Sequence, residues 1–481
     1  MKIRNFILIM VIALVFLTAC GDTATKNDAL QIDTEKSGLK PDLPDNVDMG
    51  GKVITFALLN WFNYSPLAIQ DIEVEELTGE PFNDAAYNRN MYMEQTFNCV
   101  VKTVTHSHAY DAMPKIKNQI TSGDNTNDII LFRALWMMPL LTGGYLHDLS
   151  DLPYVNLDNP WWNKSSIDAM SLGGRNYSLL GDYSMCVLSN IWLTYFNKDL
   201  LQTYNLENPY QLVQEGKWTL SKMHEMGKQV ASDLNNDGKR DINDRFGVTH
   251  INDSGSALLN SFGERLVDIG ADGNPYISMS KMSAVNKIMH IAEIFSDHET
   301  FFNAQRRTSD ANRYEAGMFV NGRALFSLGG VYYGPEMRAM EQDFGLLPYP
   351  KYDEKQTEWY NPINAPALPL LTVPISNDDL DNMGIFIEAF TYKGYETIRP
   401  QFYDGLLQRK IARDNESEEM LDFIFNNIFF DIGVMYNFGN IFTGTNNLTS
   451  GGSANVASWL EQNSDKINRE IEDFIDIMVG Q

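Results

Sequence analysis

The chain has 481 residues, 12% of them aromatic, and sets 37 basic against 63 acidic side chains for a formal charge of −26. A surface this acidic repels phosphate and excludes nucleic acid as a ligand. The length exceeds what one hydrophobic core usually organises, so two lobes are expected, and three cysteines are too few for a disulfide framework.

Lys2 and Arg4 precede an apolar run from Phe6 to Phe16 and then Leu17-Thr18-Ala19-Cys20. The run is shorter than the roughly 20 residues that a membrane-spanning helix needs. Small residues ahead of a cysteine resemble a lipobox, so residues 1–19 read as a lipoprotein signal peptide. Cys20 then becomes an acylated N-terminus, a palmitate-type anchor to the outer face of the cell membrane. A plain secretory peptide ahead of a free cysteine is the alternative. Residues 20–48, rich in Asp, Lys, Thr and Pro, cannot build a core and read as a flexible tether.

Lys52 to Leu59 (KVITFALL) is an apolar, β-branched run and a strand. After it, Phe82, Ala86, Met93 and Phe97 recur at helical spacing, with Asn83 or Asp84 as N-cap. Residues 99–104 form the next strand, and 128–132 (DIILF) are apolar on both faces, as a covered parallel strand requires. Strand, helix, strand, helix, strand is an α/β pattern. Helices follow at 220–230 and 283–295, with a strand at 323–328 between them and the C-terminus. Residues 443–453 read as a Gly-Thr-Asn-rich loop, and Leu460, Ile467, Ile471, Phe474, Ile475 and Met478 mark a closing amphipathic helix. Cys99 and Cys186 sit in apolar segments and are expected as two buried thiols, a single bridge being the alternative in an exported protein.

Residues 233–244 (DLNNDGKRDIND) place Asp233, Asn235, Asp237, Asp241 and Asp244 at positions one, three, five, nine and twelve of an EF-hand-type loop. Gly238 stands at six and the Lys239 carbonyl at seven. The expected occupant is a structural Ca2+, held weakly because position twelve is Asp rather than Glu. An acidic turn without metal is the alternative.

Aromatic side chains stand where strands end: Trp61, Trp136, Tyr332 and Tyr333. Ligands of open α/β sheets bind at the carboxyl ends of strands. Sugar faces pack on aromatic rings, while sugar hydroxyls need partners such as Asn60, Arg133, Asp182 and Asn361. Trp359 joins this candidate set.

In chain order, DIILFRALW, GGYLHDLSDLP, NPWWN, YFNKDLLQTYNLENPYQLVQEGKWTL, EAGMFVNGRALFSLGG and FGLLPYPKYDEKQ resemble the family 1 extracellular solute-binding proteins, the lipoprotein components of bacterial carbohydrate ABC importers. The resemblance implies an α/β, two-lobed, type II periplasmic-binding-protein-like fold, its lobes joined by crossing hinge strands around a ligand cleft. The expected division is 49–180 for the first part of lobe 1 and 181–369 for lobe 2. Residues 370–481 are then a return to lobe 1 with C-terminal helices. It places Asp182 and Tyr183 near the hinge and Tyr332 in the cleft after Gly329 and Gly330. It further implies a monomer that captures a carbohydrate, an oligosaccharide above all, and delivers it to ABC permease subunits by hinge closure, without catalysis. Alternatives keep the fold with another cargo (a peptide, a sugar acid or a signalling ligand), for which Arg306 and Arg307 are a local basic cluster, or make the chain an anchored glycoside hydrolase or a surface scaffold. No Gly-x-Ser-x-Gly or His-Glu-x-x-His motif supports hydrolytic chemistry.

Overall fold

The computed structural model describes residues 38–59, 69–307, 315–409, 412–450 and 454–479. Cys20, the expected signal peptide, Asn60 and Trp61 lie outside the described residues. Two sheets organise the chain. In the first, Ile129–Arg133 and Cys99–His106 flank Lys52–Leu59 in parallel, and Pro369–Thr372 joins antiparallel beside Ile129–Arg133. All five residues of Ile129–Arg133 are buried, as its continuous apolar pattern demands of a strand covered on both faces.

The helix Pro81–Phe97 begins two residues before Asn83, because Pro81 pre-sets the first turn and the Glu80 carboxylate accepts from the amides of Phe82 and Asn83. Asn98, left-handed at φ 51°, ends it. It packs along the long helix Leu380–Arg409, where Phe386 and Phe390 stack at 5.2 Å and join the core beneath the first sheet.

In the second sheet Ala324–Gly330 is central. Trp192–Asn197 lies antiparallel on one side, with Phe344–Leu347 beyond it. Phe246–His250 lies parallel on the other side, with Phe301–Asn303 beyond it. The helix Leu220–Val230 seats directly on this sheet, since a Cβ on Gly247 would stand 2.5 Å from the Cα of Gly227. Only glycine at 247 permits that approach, and a Cβ on Gly227 would sit tightly at 3.0–3.1 Å from Thr300 and Gly247.

Two segments cross between the sheets side by side: Ile191 pairs with Ile363, and the Asn364 amide donates to the Asn190 carbonyl at 2.8 Å. Helices of the last hundred residues divide between the lobes. Leu380–Arg409 stays with the first sheet, whereas Asn415–Phe425 packs on Phe344–Leu347, and Ile441–Ser450 packs on Ser254–Ser261 and Met282–Phe295. The expected loop over 443–453 is therefore a helix through Ser450. Buried Thr445 and Thr449 donate to the carbonyls of Ile441 and Thr445, and Gly444 faces Trp459 with no room for a side chain. Tertiary packing overrides the weak helix propensity of these residues.

The last helix, Val456–Val479, buries Ile467, Ile471, Phe474 and Met478. Its C-terminal turn reaches back to the first lobe, where the Tyr177 hydroxyl donates to the Ile477 carbonyl at 3.2 Å. Cys99 and Cys186 are separate buried thiols, and burial pushes both up to about 12. No helix among the described residues is long and apolar enough to cross a membrane.

Candidate functional site

The crossing between lobes is held by polar groups that the sequence marked as ligand partners. Arg133 ends an inner strand of the first sheet, is 1% exposed, and donates through Nη1 to the Ala367 carbonyl at 2.7 Å. Asp182 forms a buried ion pair with Arg399 at 3.0 Å. The Tyr183 hydroxyl donates to the carbonyls of Leu179 (3.1 Å) and Pro369 (2.5 Å). Asn361 spends its amide on the Trp192 carbonyl at 2.7 Å and accepts from the Tyr349 amide. These four tie the crossing segments to one another and to the lobes.

Behind them stands Arg89, which the sequence did not single out. Its guanidinium is fully buried, donates to the carbonyls of Tyr183 (2.8 Å), Asp71 and Ile72 (3.2 Å), and lies 3.8 Å from the Phe390 ring. The Asp71 carboxylate in turn accepts from the Ser184 hydroxyl and the Met185 amide, both at 2.8 Å. One arginine thus fixes the start of the crossing segment from the first lobe.

The crevice itself lies where the turn Ala134–Trp136, the hinge turn Ala365–Ala367 and the helix Ile432–Tyr436 meet. Half-buried Trp136 stands edge-to-face at 5.6 Å with Tyr110, which is 82% exposed. Both follow strands of the first sheet, so they form an aromatic platform at its carboxyl edge. Across the hinge, buried Tyr332 and Tyr333 contact each other at 4.5 Å, and Tyr332 meets Trp192 at 6.3 Å. Trp359 packs instead against Phe423 at 5.5 Å, with the Lys351 ammonium over its ring.

A cavity of about 10 Å³ sits on the hinge floor between Trp192, Asp253, Asn260, Asn364, Pro366 and Phe442. That is room for about one water. Burial pushes the Asp253 carboxyl up to about 6, and it accepts from the Asn446 side-chain amide at 3.4 Å. The Asn364 side chain, 8% exposed, makes no hydrogen bond among the described residues. A carboxyl and an amide beside an indole are the groups that a sugar's hydroxyls and apolar face require. Sequence reasoning missed Asp253, Asn364 and Tyr110, although Asp253 follows a parallel strand just as Trp136 does.

In the 233–244 loop, Gly238 takes φ +74° at position six, as the sharp turn requires. Its oxygens suit a hard cation by type. By position they serve the loop's own backbone: the Asp233 carboxylate accepts from Asn236 and Gly238, Asp237 from Lys239, Asp241 from Asn243, and buried Asp244 from Leu234 and Asp241. Among the described residues no three acidic, histidine or cysteine side chains gather closely enough to hold a metal.

Residues 78–367 match the family model described as bacterial extracellular solute-binding protein. No curated protein matches the chain. Among solved structures, an ABC substrate-binding protein from Listeria monocytogenes in complex with cycloalternan is 14% identical, with 88% of this chain and 99% of that one aligned at a TM-score of 0.57. A sugar transporter from Rhizobium etli in an open conformation is 14% identical over 89% and 98%, at 0.56. A maltose-binding periplasmic protein from the same Listeria species, bound to maltose, is 14% identical over 89% and 97%, at 0.53. Identities this low carry the two-lobed fold and leave the ligand to the site.

Proposed function

Because the chain belongs to the bacterial extracellular solute-binding proteins, we propose that it captures a carbohydrate outside the cell and delivers it to an ABC permease by closing its lobes. In this reading it is a monomer anchored through a lipid on Cys20, and ligand bridging the lobes selects the closed form that the permease recognises. The observation that carries the reading is the hinge floor, where the Asn364 side chain, without a hydrogen bond among the described residues, and the Asp253 carboxyl stand beside Trp192, with the Trp136–Tyr110 pair on the first lobe. The structural neighbours in complex with cycloalternan and with maltose support the ligand class.

A thermal-shift screen against oligosaccharides, peptides and polyamines tests it, since binding to the native state alone raises the midpoint. A shift confined to saccharides is expected. Asn364→Ala and Trp136→Ala should each weaken that saccharide roughly tenfold, through a lost hydrogen bond and a lost stacking face, in protein that still unfolds cooperatively. Shifts with peptides or polyamines only would make carbohydrate capture the wrong reading.

The 233–244 loop carries a second, structural proposal: millimolar Ca2+ draws the oxygens of Asp233, Asn235, Asp237, Asp241 and Asp244 and the Lys239 carbonyl together. Gly238, already in the conformation this wrapping needs, favours it. Calcium should then raise the midpoint, and Asp237→Ala should abolish the rise while leaving saccharide affinity intact. A midpoint that does not respond to calcium well above about 1 mM, on the order of the weakest extracellular sites, would reduce the loop to a hydrogen-bonded turn.

A further inference from the structure

A larger cavity, about 220 Å³, opens at the carboxyl ends of Phe246–His250 and Phe301–Asn303. These strands run parallel to each other, and the first runs parallel to Ala324–Gly330. The cavity therefore lies on the same edge of the second sheet as Tyr332, which follows Ala324–Gly330. At about 4.8 Å per strand, it sits roughly 10 Å farther along that edge.

Its walls combine two kinds of group. Phe295 and Phe301 are buried rings, and the His250 imidazole stacks on Phe295 at 4.1 Å. His250 is 2% exposed, and its Nδ1 lies 3.0 Å from the Ile251 carbonyl. That carbonyl can only accept, so Nδ1 carries the proton and Nε2 is left as an acceptor. Burial first, and then the charges of Arg306 and His298, hold this histidine down to about 4, so it is neutral at pH 7.

Arg306 supplies the charge. Its Nε donates to the Asn252 side chain at 3.0 Å and its Nη1 to the Ser450 carbonyl at 3.3 Å. Its backbone amide is held by Asn303. No carboxylate pairs with it among the described residues, although acids outnumber bases by 63 to 37 in this chain. An arginine oriented by neutral partners, with Nη2 still available, is a site for an anion's oxygens.

We propose that this cavity is an outer subsite of the ligand cleft that takes the carboxylate-bearing ring of an acidic saccharide, a uronate unit. The carboxylate accepts from Arg306, a ring hydroxyl donates to Nε2 of His250, and the apolar ring face lies on Phe295 and Phe301. The proposal rests on the carbohydrate-binding reading and narrows it, since a carboxylate would give this arginine the counter-charge that its neutral partners Asn252 and Ser450 do not.

Calorimetric titration of the protein with uronate-containing tri- and tetrasaccharides, their methyl esters and neutral oligosaccharides decides the matter. Esterification removes the charge and keeps the ring. The acid is expected to bind at least tenfold more tightly than its ester. Arg306→Gln should erase that preference by weakening the acid far more than the ester, and Arg306→Lys should keep part of it. Neutral saccharides binding wild type as tightly as acids, or a preference that survives Arg306→Gln, overturns the subsite and leaves carbohydrate capture standing. Binding of no saccharide of either kind overturns both.

Discussion

Arg89→Met lowers the stability of the folded chain by about 3–5 kcal/mol, seen as a fall in denaturant midpoint at unchanged m-value. Methionine keeps the stem that packs beside Phe390 and removes every donor. The carbonyls of Tyr183, Asp71 and Ile72 are then buried with fewer partners, and each such loss costs about 1–3 kcal/mol. Arg89→Lys recovers part of the loss, because one ammonium reaches some of these carbonyls but cannot fork to all three. Tyr183 opens the crossing between lobes, so the variant should also weaken ligand more than its distance from the crevice suggests. A loss below 1 kcal/mol would mean that the first lobe does not depend on this arginine to hold the crossing.

Asp182→Leu has an effect of similar size for a different reason. Arg399 and Asp182 are both nearly excluded from solvent, and removing the acid strands a guanidinium in the interior at about 3–5 kcal/mol. Restoring neutrality with Asp182→Leu and Arg399→Met together should return most of that loss, because two apolar groups of similar shape avoid the desolvation of both charges. A double-mutant cycle in chemical denaturation reads the coupling. If the double variant is as unstable as the single one, Asp182 matters for the packing of its backbone and not for its charge. The backbone contact is real, since a Cβ on Gly394 would stand 2.0 Å from the Asp182 carbonyl.

Strands that are apolar on both faces were legible because only one environment suits them: KVITFALL and DIILF lie side by side in the first sheet, in parallel. The helices 220–230 and 283–295 and the closing helix were legible from one-sided apolar spacing. The helix Ile441–Ser450 was not, because its threonines and glycines favour it only where Trp459 and the Ser254–Ser261 helix press on them. The candidate site was legible only as a set of places. Strand ends drew attention to Trp136 and Tyr332. At the same places, however, the crossing segments need side chains to satisfy backbone carbonyls, and Arg133, Tyr183 and Asn361 are engaged there. A residue type at a strand end does not tell which of these two demands it meets. Asp253 and Asn364 come together only through the crossing, from positions more than a hundred residues apart.

The contact between Tyr177 and Ile477 joins residues 300 apart in sequence. Loop closure over that span delays the contact until almost all of the chain is available. A chain of which only the first four hundred residues have emerged has a first lobe lacking its outer brace, and a second lobe whose flank for Ile467, Ile471 and Phe474 is bare. Such an intermediate exposes apolar surface and invites aggregation. Refolding of the whole chain should therefore be limited by arrival of the last helix, and that helix, supplied as a separate peptide, should speed recovery of a chain cut before Val456.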